Sequence, residues 1–82
     1  MKLGRYRHFK GRDYEVLGIA LHSETNEKMV LYRPLYECPE LRDEYGADPW
    51  FVRPFAMFHE QVPVDGRTVP RFAYVGPMET SS

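Results

Sequence analysis

Apolar positions along this chain gather into two long runs separated by one polar break. Tyr14 to Leu21 and Met29 to Tyr36 are dominated by aliphatic and aromatic residues, whereas His22-Ser-Glu-Thr-Asn-Glu-Lys28 between them is wholly polar. Extended, turn-bounded runs of this kind predict a long β-hairpin over Asp13 to Tyr36. Strand alternation in the first run places Tyr14, Val16, Gly18 and Ala20 on one face and Glu15, Leu17, Ile19 and Leu21 on the other. Both faces are largely apolar, so the strand is expected to be covered on both sides, as in a small closed or strongly curved barrel. Gly18 offers a place to bend, and Pro34, which lacks a backbone donor, predicts an edge or a bulge near the end of the second run.

The remaining elements are shorter. Tyr6-Arg-His-Phe-Lys10 alternates in character and ends at Gly11, which reads as a first strand turning through Lys10-Gly-Arg-Asp13. Pro39-Glu-Leu-Arg-Asp-Glu-Tyr45 has proline where a helix starts, acids early and Gly46 where it stops, so one or two helical turns are expected there. Trp50 to Pro54 resumes extended structure, and Phe55-Ala-Met-Phe58 suits a single helical turn. Gln61 to Val64 and Arg67 to Val75 flank Asp65-Gly66, a strong two-residue hairpin signal. That turn sets Pro63 opposite Thr68 and Pro70 opposite Gln61, a twisted ribbon at a sheet edge guarded by prolines. The pattern gives an all-β fold of five to six strands, with at most one short helical turn in the 37–48 loop. It is read as one domain over residues 1–75 followed by a flexible tail, 76–82.

Composition narrows the setting. With 82 residues there is room for one modest core and little for a large buried cavity. Six Tyr, five Phe and Trp50 make aromatic rings the natural filling of that core, with Tyr hydroxyls directed to its rim. The single cysteine, Cys38, excludes an internal disulfide framework and a four-cysteine metal site, and the cytoplasm is the expected compartment. The basic start lacks the apolar stretch of a secretory signal, and no run of about 18 apolar residues is present to span a membrane. The formal net charge of -1 conceals a segregation. Residues 1–12 carry Lys2, Arg5, Arg7, Lys10 and Arg12 with no acid, while residues 37–48 carry Glu37, Glu40, Asp43, Glu44 and Asp48 against Arg42 alone. These segments are expected to face each other, within the fold or across a symmetric dimer, or else to present one face to a polyanion.

Tyr6-Arg-His-Phe-Lys-Gly11, Tyr14-Glu-Val-Leu-Gly18, His22-Ser-Glu-Thr25, Val30-Leu-Tyr-Arg33 with Leu35-Tyr36, Phe51-Val-Arg-Pro54, Met57-Phe58 and Val69-Pro-Arg-Phe72 occur in this order. Over residues 4 to 75 the series closely resembles a family of small bacterial proteins known only as a domain of unknown function, numbered 1653. The resemblance implies a small all-β domain similar to the SH3-like barrels and carries no established activity, substrate or catalytic residue. Glu37 to Asp48 looks longer than the usual connection in that family, so a feature of this acidic loop would belong to the present chain.

Motifs for chemistry are sparse. His8, His22 and His59 lack ligand-type spacing, though His8 and His22 would become neighbours, with Glu24 as a third donor, if their strands paired there. His22-Ser-Glu-Thr25 invites a nucleophile reading, but adjacent strand residues point to opposite faces, and turn hydrogen bonding explains these residue types. Glu37 and Glu40 beside Cys38 would raise its pKa, against a thiolate role. Asp43 and Glu44 do not face one another on a helix, and no phosphate-cradling glycine loop or cofactor motif occurs. What remains is a set of rings interleaved with guanidinium groups: Tyr6, Arg7, His8, Tyr32, Arg33, Tyr36, Trp50 and Arg53. Rings stack on bases or on a peptide's proline, and arginine grips phosphate or carboxylate at two points. The expected function is a non-catalytic binding module for an anionic or extended ligand, with Arg7, Arg33, Trp50 and Arg53 as contacts. The partner is an unidentified peptide, protein or anion, no cofactor is called for, and the state is a monomer or weak homodimer. Single-stranded nucleic-acid binding is the first alternative, and a small-molecule enzyme using His22 and Glu24 the second.

Overall fold

The computed structural model describes residues 1–78. Seven strands follow in chain order: β1 (Gly4–His8), β2 (Asp13–Leu21), β3 (Lys28–Pro34), β4 (Phe51–Pro54), β5 (Gln61–Val64), β6 (Arg67–Pro70) and β7 (Phe72–Gly76). A 3₁₀ turn, Pro39–Leu41, runs into α1 (Arg42–Tyr45), and α2 (Phe55–Phe58) follows β4. The domain is thus mostly β. Five strands form one antiparallel sheet in the order β4-β3-β2-β1-β7, and β5-β6 is a separate two-stranded ribbon. No helix among the described residues is long and apolar enough to cross a membrane.

Seven strands stand where five to six were expected because Arg67 to Val75 is not one strand. At Arg71 the chain leaves the ribbon: its N–H donates to the Glu60 carbonyl at 2.9 Å, and its own carbonyl accepts from the Phe9 N–H at 2.9 Å. One residue therefore hands the backbone from the ribbon to the main sheet. β7 runs through Gly76, which pairs with Arg5, so the first residue assigned to the tail is sheet. Residues 79–82 of that tail lie outside the described residues.

The long hairpin forms over the predicted span, but its alternation is corrected by a register shift between Val16 and Gly18. Val16 sits opposite Tyr32 and Ile19 opposite Val30, so Val16 and Ile19 share a face that simple alternation had separated. The extra residue bends the strand where Gly18 allows it. Pro34 is tolerated inside the sheet because β4 covers β3 only as far as Tyr32, opposite Phe51. The missing donor faces the side where that neighbour has ended, and the Leu35 N–H resumes the ladder to the Asp13 carbonyl at 3.0 Å.

At the second hairpin Asp65 and Gly66 have φ of 52° and 79°, the positive pair that a type I′ turn needs. Pro63 lies opposite Thr68 and Pro70 opposite Gln61, as the turn requires. Gly4, with φ of 128°, lets β1 and β7 approach so closely that a Cβ there would stand 2.7 Å from the Gly76 carbonyl oxygen.

The core is aromatic. Tyr6, Val16, Val30, Tyr32, Phe58 and Phe72 form its buried centre, with Tyr14, Phe51 and Phe55 packed against them. Phe58, delivered by α2, is fully buried. The Tyr hydroxyls find partners at the margins: Tyr6 Oη donates to the Lys2 carbonyl at 2.6 Å, and the Tyr14 and Tyr36 hydroxyls bond each other at 2.8 Å. Burial first, then the hydrogen bond to Tyr36, pushes the Tyr14 phenol well above its ordinary pKa, so it stays neutral.

Candidate functional site

The residues proposed from sequence for a single aromatic and arginine face are distributed over three places. Arg7 projects outward from β1 and grips Asp13 across the hairpin, with Nε to Oδ1 at 2.7 Å and Nη2 to Oδ2 at 3.1 Å. Arg5 joins the same carboxylate at 3.3 Å. The guanidinium of Arg7 holds the Asp13 carboxyl below the usual carboxylate range. The basic start of the chain is thus partly neutralised inside its own hairpin instead of by the acidic loop. Arg33 does meet that loop: its Nε donates to Glu15 Oε1 at 2.7 Å and its Nη1 to Asp48 Oδ1 at 3.0 Å. Trp50, beyond Asp48, is 61% exposed.

His22 and Glu24 lie in the turn after β2, while His8 lies beside its start, since Arg7 pairs with Asp13. The two histidines are separated by the length of β2, which corrects the expectation that they could be neighbours. The turn uses its own polar groups: the Glu24 N–H donates to His22 Nδ1 at 3.3 Å, Ser23 Oγ to Glu24 Oε2 at 2.6 Å, and the Glu27 N–H to Thr25 Oγ1 at 3.2 Å. Among the described residues no group of three or more His, Cys, Asp and Glu is placed to hold a metal ion. Burial, with Glu40 adding to it, raises the Cys38 pKa, so this thiol is a poor nucleophile.

Arg53 occupies the third place, and there other residues converge. Phe72 of β7 is the hub. Phe58 stacks on its ring at 4.1 Å, and the Arg53 guanidinium carbon lies over the ring at 5.5 Å from its centroid. The Arg53 Nε donates to Tyr32 Oη at 3.2 Å, a bond that restrains the guanidinium beside the ring. His8, opposite Phe72 in the β1–β7 pair, brings its imidazole to 4.9 Å from the same ring. Arg71 precedes Phe72, and its Nη2 reaches Glu60 Oε1 at 3.4 Å while its buried Nε has no hydrogen-bond partner.

The electrostatics follow from this crowding. Partial burial first, then the positive charges of Arg53, Arg71 and Lys10, push the His8 pKa below its ordinary value of 6.5. The Lys10 N–H donates to His8 Nδ1 at 3.2 Å, so the neutral ring carries its proton on Nε2. The Arg53 guanidinium and a reluctant imidazole therefore lie against the Phe72 ring, with the Arg71 charge near enough to act on that imidazole. Such a group can accept negative charge from outside and can donate several hydrogen bonds to it.

Residues 4–74 match the model of a protein family described only as of unknown function and numbered 1653 (DUF1653). The chain belongs to that family. It is also similar to the crystal structure of a DUF1653 protein from Bordetella bronchiseptica, with 36% sequence identity over 99% of this chain and 95% of the other, and a TM-score of 0.81. No match was found among curated proteins.

Within this DUF1653 chain, Arg71 is the residue that strand-by-strand reading overlooked. Its place beside His8 and Arg53 depends on β7 pairing with β1, a contact between the two ends of the domain that no local pattern announces. The signal present was indirect: an arginine between Pro70 and Phe72 interrupts a run otherwise read as one strand.

Proposed function

We propose that this DUF1653 protein is a small non-catalytic binding module that recognises an anion through the cluster of His8, Arg53 and Arg71 around Phe72. The observation that carries this reading is the imbalance of charge there. Two guanidinium groups and an imidazole converge, and among the described residues the carboxylate bonded to any of them is Glu60 alone, at 3.4 Å from Arg71. A carboxylate or phosphate arriving at the cluster would offset the field that keeps His8 neutral, and the Arg53 terminal nitrogens remain to donate to it. His22 and Glu24, at the far end of β2 from His8, are not part of this cluster.

The scaffold we infer is an SH3-like barrel. Support comes from the strand order β7-β1-β2-β3-β4, the bend in β2, and the helical turn α2, which carries Phe58 onto Phe72 and so draws the two ends of the sheet order toward one core. Binding by such a barrel is an argument from analogy of fold, and the charge cluster supplies its chemistry.

The test is a thermal-shift and calorimetric series with inorganic phosphate, pyrophosphate, small dicarboxylates and an oligothymidylate, each at two salt concentrations. An anion that stabilises the wild type and loses at least tenfold in affinity with Arg53→Gln and with Arg71→Gln supports the site. A preference for the oligonucleotide with a steep salt slope would assign the surface to single-stranded nucleic acid instead. If every probe leaves the protein unchanged, or both variants bind as the wild type does, the proposal fails.

A further inference from the structure

A second surface, independent of the charge cluster, lies on the acidic loop. Leu41, Tyr45, Pro49, Trp50 and Phe51 line an open concavity of about 280 Å³. Leu41 and Tyr45 are four residues apart on the continuous helical stretch and share one side of it. Pro49 is buried and fixes the far wall, while the Arg33–Asp48 bond at 3.0 Å ties the end of the loop to the sheet. The groove is therefore held open by the fold. Its two large rings are left to solvent, Tyr45 at 59% and Trp50 at 61% exposure, although a short chain gains by covering such surface.

The surroundings are mostly acidic, with exposed Arg42 the one cation between Glu37 and Asp48. Glu37, Glu40, Asp43 and Glu44 are exposed on the same loop, and none of them forms an ion pair among the described residues. Asp43 and Glu44 belong to the helical turn that carries Tyr45, and Glu40 precedes Leu41. An apolar floor bordered by unmatched carboxylates is complementary to a ligand with an apolar anchor between cations. The carboxylates are spread along the loop, which suits several cations on an extended chain better than one compact cation.

We propose that this groove binds an extended basic peptide segment, which places a proline or aliphatic side chain between Tyr45 and Trp50 and sets lysine or arginine side chains against Glu40, Asp43 and Glu44. Aromatic rings favour such a proline contact and attract neighbouring cations, and an extended ligand loses little conformational freedom on docking.

Trp50 is the one tryptophan of the chain, so its emission reports directly on this groove. A display library of random twelve-residue peptides would be selected against the intact protein, and the enriched sequences synthesised and titrated at 50 and 300 mM salt while Trp50 fluorescence is followed. The expected ligands are rich in Lys and Arg around Pro or Leu, shift the Trp50 emission, and weaken severalfold at the higher salt. Tyr45→Ala and the pair Asp43→Lys with Glu44→Lys should each weaken them about tenfold with the circular dichroism of the fold retained, whereas Arg53→Gln and Arg71→Gln should leave them unaltered. No enrichment, enrichment without basic bias, or equal affinity for the groove variants overturns the proposal. Concentration-dependent self-association that shifts Trp50 without peptide would overturn it too, assigning the groove to a second copy of the chain.

Discussion

The rings of Phe58 and Phe72 lie parallel, 4.1 Å between centroids and 1° between planes, although one comes from a four-residue helix and the other from the last strand. Phe58 is fully buried, and its further ring neighbours include Tyr6 and Tyr32, both at 5.5 Å, and His59 at 5.4 Å. Replacing it leaves a void lined by groups that cannot close in, because each is tied to a strand. Phe58→Ala should cost about 3–5 kcal/mol and Phe58→Leu clearly less, measured by urea unfolding. A loss under about 1 kcal/mol for Phe58→Ala would contradict the central place given to this pair.

Tyr32 links that core to the charge cluster. Its ring is buried and its hydroxyl accepts from Arg53 Nε at 3.2 Å. Tyr32→Phe preserves the packing and removes the acceptor, so stability should fall by about 0.5–1.5 kcal/mol. In a double-mutant cycle with Arg53→Gln the two losses should fail to add, since each variant breaks the same bond. Strict additivity in denaturant melts would show that the bond has no energetic weight.

Glycines 4 and 11 separate conformational strain from crowding. Both have positive φ, 128° and 102°, but a Cβ at Gly11 meets nothing within 4 Å, whereas one at Gly4 meets the Gly76 carbonyl oxygen at 2.7 Å. Gly11→Ala should therefore cost about 1–3 kcal/mol from backbone strain alone. Gly4→Ala carries that strain and must also force β1 from β7, so it should be the more damaging in thermal melts. Equal melting temperatures for the two variants would refute the close approach of these strands.

His8 gives the stability of the domain a defined pH response. Its folded pKa lies below the ordinary 6.5, so as pH falls through about that value the unfolded chain takes up a proton that the folded one resists. Stability declines through that window and the decline ends once pH drops below the folded pKa. His8→Asn keeps an acceptor for the Lys10 N–H and removes the titration, so its stability should change less between pH 8 and 5 than that of the wild type. His22 and His59 are common to both proteins and cancel in the difference. A difference that stays constant across this range would show that burial and the neighbouring cations do not lower the His8 pKa in the folded domain.

Much of the local structure was legible because it rests on local chemistry. Asp65-Gly66 announced its own turn, Pro39 and Gly46 bracketed the helical stretch, and the two apolar runs gave the long hairpin. The shift at Val16 and Gly18 was not legible, since an extra residue in a strand leaves the composition of the run unchanged while moving every later side chain to the other face. The break at Arg71 escaped for a similar reason: a residue that changes sheets still looks extended in sequence. For the site, rings and guanidinium groups were visible as types, but their grouping was decided by pairing. Tyr6 and Tyr32 went to the core, Arg7 and Arg33 to carboxylates, and Arg53 stayed with the cluster beside His8. Its companion Arg71 came from the other end of the chain.

β1 lies between β2 and β7, and it carries a consequence for how the protein is made. A polypeptide emerging from the ribosome can build the β1-β2-β3-β4 meander early, from contacts between near neighbours in sequence. It cannot seat Phe72, the ring on which Phe58, Tyr14 and Tyr32 all converge, until β7 has been synthesised. The nascent meander thus waits with an open flank and an unfilled centre, and completion is a late, long-range event.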